Sequence, residues 1–293
     1  MSDAAIQQIR RFNRLVTRRV GALDDSYLSR GRSLGEARLL FEIGLDGADA
    51  RDLRAALGLD SGYLSRLLRA LTAEGLVEVA RAQGDARVRR VALTAQGRAE
   101  FAAYERLSDQ LAASMLAPLA PPERDRLIAA MAEAERLLRA GAVVVGLEPA
   151  SSSDAVSCLN QYFAELARRF EEGFDPAKGA AAGVEAMNPP HGWFFLARLD
   201  GRPVGCGGLA RLGAEAGEVK RVWTAPDARG LGVARRLVAA IEAQAREAGI
   251  TTLRLDTNRA LKEAHALYRK LGFVEIGRYN DNPYADHWFE KRL

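Results

Sequence analysis

Over the first 140 residues the apolar positions recur at three- and four-residue steps, the spacing of one face of a helix. Ile6, Ile9, Phe12, Val16, Val20 and Leu23 form one such stripe, and Leu127, Met131, Ala134 and Leu138 another. Each either completes a monomeric core or pairs with a second subunit. Between them, Ser33 and Glu36 have capping-box spacing for a helix through Leu45, and Asp49 opens a second short helix. From Ala142 the pattern changes to a β-branched run and then a serine cluster, AVVVGLEPASSSDAV, which predicts the first strand of a new domain. The expected division is residues 1–142 and 143–293.

Within the first domain the pattern predicts a helix-turn-helix. Gly58 supplies the turn, and Asp60 or Ser61 caps the next helix, whose Leu64, Leu67, Leu68 and Leu71 point inward. The opposite face carries Ser61, Tyr63, Ser65, Arg66 and Arg69. Small hydroxyls and an aromatic ring at a helix start, with arginines a turn later, suit contact with base edges and phosphates in a major groove. Two β-like runs then flank the turn Gln83–Gly84–Asp85, a hairpin bearing Arg81, Arg87, Arg89 and Arg90.

Composition adds little to this picture and excludes several classes. The 293 residues are 48% hydrophobic and 27% charged, as in an ordinary soluble globular protein, and no stretch approaches a membrane span of about 18 apolar residues. The charged amphipathic N-terminus lacks an apolar signal core, so the expected location is the cytoplasm. Cys158 and Cys206 are the two cysteines; they leave room for neither a disulfide framework nor a thiolate metal site, and no metal is expected. The net charge of +4 is mild, but residues 1–145 hold 22 basic against 19 acidic residues, every basic one an arginine.

The second half predicts strands at WFFLARL and VGCGGLARL around a DGRP turn, then a strand running through a turn into an amphipathic helix, EVKRVWTAPDARGLGVARRLVAAIEAQAREAG. In Arg229–Gly230–Leu231–Gly232–Val233–Ala234 the glycines clear side chains from backbone N–H groups, and the helix that follows adds its positive end. Together these make a cradle for a pyrophosphate. A further strand, TTLRLDTNR, precedes a helix and strand in ALKEAHALYRKLGFVEIGRYN.

Two resemblances follow from these residues. Residues 5–140, from the flanking helices to the Gly-Asp-x-Arg wing, resemble the MarR-type winged-helix regulators. That resemblance implies a homodimer built from the terminal helices on a pseudo-palindromic double-stranded DNA site, with Arg87 in the minor groove and Asp85 orienting it. Residues 143–293 resemble the GNAT N-acetyltransferases through Arg229, Gly232 and Ala234 and, one helix later, Ala264, Leu267, Tyr268, Gly272 and Phe273. The fold class expected is therefore a mainly helical winged helix-turn-helix followed by an α+β domain, a mixed sheet flanked by helices.

The second resemblance implies acetyl-CoA in a V-shaped gap between splayed strands, held by amides from about Leu231 to Arg236, including Val233, Ala234 and Arg235. The edge Val222–Trp223–Thr224 pairs with the pantetheine arm, and Ala264 and Tyr268 line the same gap. Leu261 stands where many members carry asparagine, with Asn258 as the substitute contact. A substrate amine attacks the thioester directly. Tyr268 either protonates the departing thiolate or stabilises it by a hydrogen bond, since full transfer from a phenol of pKa ~10 to a thiolate of ~8.5 is uphill by about 2 kcal/mol.

Glu218 and Asp256 are the candidate bases, each equally readable as a solvated strand-end charge, and His265 reads as a neutral core or surface residue. Arg168, Arg169 and Phe174 from the first helix and its loop, with Asn280, Asn282 and Tyr284 from a C-terminal loop, are positioned for a small amine that also bears an acid, such as an amino acid. The whole then reads as a DNA-binding regulator that is also an acetyltransferase. Two alternatives stay open, a regulator whose second domain only senses acetyl-CoA or a metabolite, and an enzyme whose winged helix serves only for dimerisation.

Overall fold

The computed structural model describes residues 2–82, 85–176, 178 and 183–293, with the side chains of 81, 82, 85–88 and 184 excepted. The chain forms two compact units, Met1–Ala129 and Ala130–Leu293.

In the first unit, helix α1 (Asp3–Arg19) starts at Ser2, whose hydroxyl accepts from Ala5 N–H. It buries no residue. Its stripe lies open, with Ile9 59% and Phe12 46% exposed, so it does not join the core of this unit among the described residues. Helix α2 (Leu34–Ile43) begins with the expected capping box between Ser33 and Glu36. Helix α3 (Ala50–Leu57) ends at Gly58, in the left-handed conformation that a turn requires. Asp60 rather than Ser61 then caps helix α4 (Ser61–Ala73), its carboxylate accepting from Tyr63 N–H at 2.9 Å.

Leu64, Leu67, Leu68 and Leu71 are buried as the spacing predicted, against Leu39, Leu40, Ile43 and Leu53. The hairpin of β2 (Val77–Ala82) and β3 (Asp85–Leu93) gains a third, two-residue strand, β1 (Ala48–Asp49), which pairs with β3. The two-stranded expectation was one strand short because two residues carry no periodicity. Two long helices follow, α5 (Ala95–Leu116) and α6 (Pro121–Ala142), the second running past Ala129 into the second unit. On α6, Met131 and Leu138 are 58% and 74% exposed.

The second unit is a seven-stranded sheet among the described residues, in the order β4-β5-β6-β7-β8-β10-β9. The strands are β4 (Val144–Leu147), β5 (Gly192–Leu199), β6 (Arg202–Arg211), β7 (Ala216–Thr224), β8 (Thr252–Thr257), β9 (Val274–Ile276) and β10 (His287–Arg292). Helices α7 (Ser153–Arg169), α8 (Val233–Glu247) and α9 (Lys262–Lys270) connect and flank them. Asp200 and Gly201, at φ 51° and 79°, make the tight turn between β5 and β6. The core contains Phe194, Leu196, Leu209, Leu237, Ile241, Leu253 and Phe289, with Cys158 and Cys206 buried as free thiols.

Two irregularities shape the middle of this sheet. All neighbours are antiparallel except β7 and β8, which pair in parallel only at Ala216–Thr252, Gly217–Leu253 and Glu218–Arg254. Past those pairs the strands part, and the remainder of β7 up to Thr224 lines the opening. Further, Cys206 pairs with Trp223 but Gly208 with Lys220, so Arg221 and Val222 together oppose Gly207. This is a β-bulge, with Arg221 at φ 56°. It sets Glu218, Lys220 and Trp223 on one face of the strand, which strict alternation would have split.

The C-terminal segment expected as a loop is a loop only to about residue 286. His287–Arg292 is strand β10, inserted between β8 and β9. Its mixture of charged and aromatic residues hid the strand.

Candidate functional site

The turn after β7 leads into α8 through Gly230 and Gly232, at φ 79° and 75°. Side chains rarely adopt this conformation. Gly232 is the N-cap of α8 and offers no side chain to the first turn, so the amides there point outward, with the positive end of the helix behind them. Leu231 turns its side chain into the core, whereas Gly230, Gly232, Val233, Ala234 and Arg235 line a cleft with about 570 Å³ of free space.

One wall of the cleft is β7, at Val222, Trp223 and Thr224. The other is formed by Leu261, Ala264, Leu267 and Tyr268, from α9 and its lead-in. The Thr224 hydroxyl oxygen is buried there with no hydrogen-bond partner among the described residues, a polar group placed to meet a ligand. The cleft therefore combines unpaired strand edge, outward amides and one waiting hydroxyl.

Glu165 on α7 organises this cleft. Its carboxylate accepts from the Trp223 indole N–H at 2.9 Å, from the Arg229 guanidinium at 2.6 and 2.7 Å, and from Arg169 at 3.3 Å. Burial pushes the Glu165 carboxyl up, but the Trp223 hydrogen bond and the Arg229 charge outweigh it and hold the group below the usual carboxylate range. The Arg229 side chain is thus engaged by a carboxylate of its own chain. The sequence showed the Glu165–Arg169 pair only as an ordinary i,i+4 spacing.

A second, smaller pocket of about 120 Å³ adjoins the cleft and shares Tyr162, Val222, Leu261, Ala264 and Tyr268 with it. Tyr268 stands at this junction, 7% exposed. Burial pushes its phenol well above the usual value, and the negative charge of Asp256 adds to the effect, so the hydroxyl keeps its proton through neutral pH. Asp256 lines the pocket, and its two oxygens accept from Asn280 at 2.6 Å and Asn282 at 2.8 Å. The same Asn280 amide also donates to Glu218 at 3.1 Å.

The two candidate bases are separated by this arrangement. Glu218 is buried and lines neither cavity; the Tyr279 hydroxyl at 2.8 Å and Lys220 at 2.7 Å complete its partners. Asn280 lines neither cavity either, since its carbonyl oxygen accepts from Trp288 and its amide is shared between the carboxylates. Asn282, Tyr284 and Phe174 do line the pocket.

Arg169 lies at the edge of the cleft, bound to Glu165 and Glu263. Arg168 is exposed and reaches neither cavity. Asn258, the expected substitute contact for the cofactor, lines the smaller pocket and not the cleft, its amide donating to Tyr284 C=O at 2.8 Å and its oxygen accepting from Ala260 N–H at 2.9 Å. His265 is buried, and burial lowers its pKa, in keeping with a neutral core residue.

In the first unit, Ser61, Arg66 and Arg69 are exposed on α4, and Tyr63 and Ser65 are half-buried. The Arg66 guanidinium lies over the Tyr63 ring, 5.4 Å from its centroid, and Arg69 donates to Ser65 C=O at 3.2 Å. The side chains of Asp85 and Arg87 lie outside the described residues.

Residues 159–273 match the acetyltransferase (GNAT) family, and residues 30–88 match the MarR family. The IAA acetyltransferase of Azospirillum brasilense is 35% identical over 138 residues, which cover 46% of this chain and 88% of that protein. An uncharacterized N-acetyltransferase of Escherichia coli K12 is 40% identical over 95 residues, covering 31% of this chain and 57% of its own length. Among solved structures, a GNAT family acetyltransferase from Staphylococcus aureus Mu50 aligns at 18% identity with a TM-score of 0.45, covering 52% of this chain and 99% of that one.

Proposed function

On the premise that the chain belongs to the acetyltransferase (GNAT) family through its second unit and carries a MarR family segment in its first, we propose that it is a DNA-binding regulator that also transfers acetyl from acetyl-CoA to a small amine, such as an amino acid. The observation that carries the enzymatic reading is the parting of β7 and β8 beyond Glu218 and Arg254, with Tyr268 where the cleft meets the pocket.

Acetyl-CoA supplies an activated acyl carbon on a leaving thiol. The amides of residues 232–235, at the N-terminus of α8, bind its pyrophosphate, those of Leu231 and Arg236 being already donated to Ala228 C=O and Gly232 C=O. The edge Val222–Trp223–Thr224 aligns the amide-bearing arm, with Ala264 and Leu267 on the opposite wall. Asp256 faces the acceptor and takes the proton of the attacking nitrogen. The raised pKa of Tyr268 favours one of its two readings, since a phenol that holds its proton this firmly stabilises the thiolate by donating a hydrogen bond rather than by full transfer. Glu218, with Tyr279 and Lys220, supports Asn280 behind Asp256.

The first unit reads DNA through Ser61, Tyr63, Ser65, Arg66 and Arg69 of α4, with the wing residues Asp85 and Arg87 beside it. The exposed stripes on α1 and α6 support a homodimer, since apolar surface of this extent is ordinarily covered. A dimer binds a pseudo-palindromic site.

The test is acetyl-CoA-dependent thiol release over amino acids, small amines and peptides, with Tyr268→Phe as the control, beside anisotropy on operator-like DNA. Turnover on one acceptor that falls at least tenfold in Tyr268→Phe supports the enzyme. Acetyl-CoA binding with no turnover across the panel refutes it and leaves a sensor.

A further inference from the structure

Four aromatic rings cluster in the lining of the pocket that adjoins the cleft. Phe174 lies 5.7 Å from Phe163, 5.8 Å from Phe170 and 4.8 Å from Tyr284, centroid to centroid, and Phe170 is 5.9 Å from Tyr284. They come from three places in the chain: the body of α7, the segment after it, and the loop before β10. Stacked, tilted and edge-on pairs all occur among them. All four line the pocket and are only half-buried, so ring faces and edges border free space. Another ring suits such surfaces, because offset and edge-to-face pairs of rings are stabilised beyond the area they bury.

The lining of the same pocket also includes polar and charged groups. Asp256 spends one acceptor site of each oxygen on Asn280 and Asn282. A carboxylate has about four such sites, which leaves room for an amine. Arg221, at the bulge of β7, lines the same pocket, its guanidinium 5.5 Å from the centroid of the Phe163 ring. A guanidinium matches a carboxylate in shape and charge.

Building on the acetyltransferase reading, we infer that the acceptor is an aromatic α-amino acid: its ring sits among Phe163, Phe170, Phe174 and Tyr284, its amine faces Asp256 and its carboxylate meets Arg221. The nitrogen lone pair forms the new N–C bond to the acetyl carbon as the C–S bond breaks. One proton passes from nitrogen to Asp256, and the thiolate leaves against the Tyr268 hydroxyl. The products are the N-acetyl amino acid and free CoA.

The experiment uses the full-length protein with saturating acetyl-CoA and compares kcat/KM for phenylalanine, tyrosine and tryptophan with leucine, alanine, phenethylamine and a lysine-bearing peptide. The expected result is a preference of about tenfold or more for the aromatic amino acids over leucine and alanine, with phenethylamine weaker than phenylalanine. Phe174→Leu is expected to erase most of that preference while acetyl-CoA affinity by calorimetry stays unchanged, which also reports that the variant is folded. Equal turnover of leucine or the peptide overturns the aromatic assignment alone, as does a Phe174→Leu loss that is uniform over all acceptors. Phenethylamine at or above phenylalanine overturns the amino-acid assignment. No turnover on any acceptor brings down the acetyltransferase reading and this inference with it.

Discussion

The Trp223 indole N–H donates to the Glu165 carboxylate at 2.9 Å in a buried bond that joins β7 to α7, and Arg229 completes the same carboxylate from the turn before α8. Three segments far apart in sequence therefore depend on one charged side chain. Glu165 is depressed below the ordinary carboxyl value of 4.5. The stability it contributes is complete above that value and is lost as pH falls through the lower, folded value. Glu165→Gln is expected to reduce stability near neutrality and to flatten the acid limb of the melting temperature below about pH 5. Thermal unfolding from pH 3 to 7 checks this, and parallel acid limbs in variant and wild type would count against it.

Asn280 is the shared donor of Asp256 and Glu218. Asn280→Ala leaves the two carboxylates without their bridge and the Trp288 N–H without its acceptor. Hydrogen bonds to charged groups contribute about 1.5–3 kcal/mol, so kcat/KM for the acceptor is expected to fall by roughly tenfold to a hundredfold. Acetyl-CoA affinity should be unaffected, because Asn280 does not line the cleft. A loss seen mainly in acetyl-CoA binding contradicts the assigned position.

On α4, Arg66 and Arg69 are expected to behave differently. Arg66→Ala should cost about 1–3 kcal/mol on the preferred DNA sequence and relax the choice of base, as for a side chain that reads base edges. Arg69→Ala should weaken all sequences alike and lower the salt slope by about one, as for a phosphate contact. Anisotropy titrations at several salt concentrations separate the two patterns.

Gly97 opens the first turn of α5 with its N–H donated to the Thr94 hydroxyl at 3.0 Å. A methyl group there would lie 1.9 Å from the Leu76 carbonyl oxygen, which neither backbone can absorb without moving. Gly97→Ala is expected to destabilise the first unit by roughly 1–3 kcal/mol or more. Denaturation of the variant, followed together with DNA binding, tests this. An unchanged midpoint would mean that α5 and the Leu76 turn can separate freely.

Much of this was readable along the chain, and the exceptions have physical causes. Helical spacing gave the buried leucines of α4, and the capping-box residues gave the start of α2, because local rules govern both. Gly230 and Gly232 announced the turn before α8 through a backbone demand that few other residues meet. The bulge at Arg221 had no such signal, since it exists only as a mismatch between two strands, and with it went Lys220 and Arg221 as pocket-side residues. Glu165 was passed over because a glutamate four residues before an arginine on a helix normally signals a solvated face. Its burial is set by Trp223, 58 positions away.

The opening between β7 and β8 also bears on self-association. A strand edge is a template on which another chain can build, and proteins usually protect their outermost strands against it. Here an additional edge lies inside the sheet, flanked by β8 on the far side of the gap. A foreign strand would need about 4.8 Å of spacing and room for side chains on both faces, whereas the gap narrows to closed pairing at Glu218 and Arg254. Hydrogen-bonding capacity is thus kept available to a slender amide-bearing chain while remaining out of reach of a neighbouring protein, and an exposed edge becomes a selective filter by its position alone.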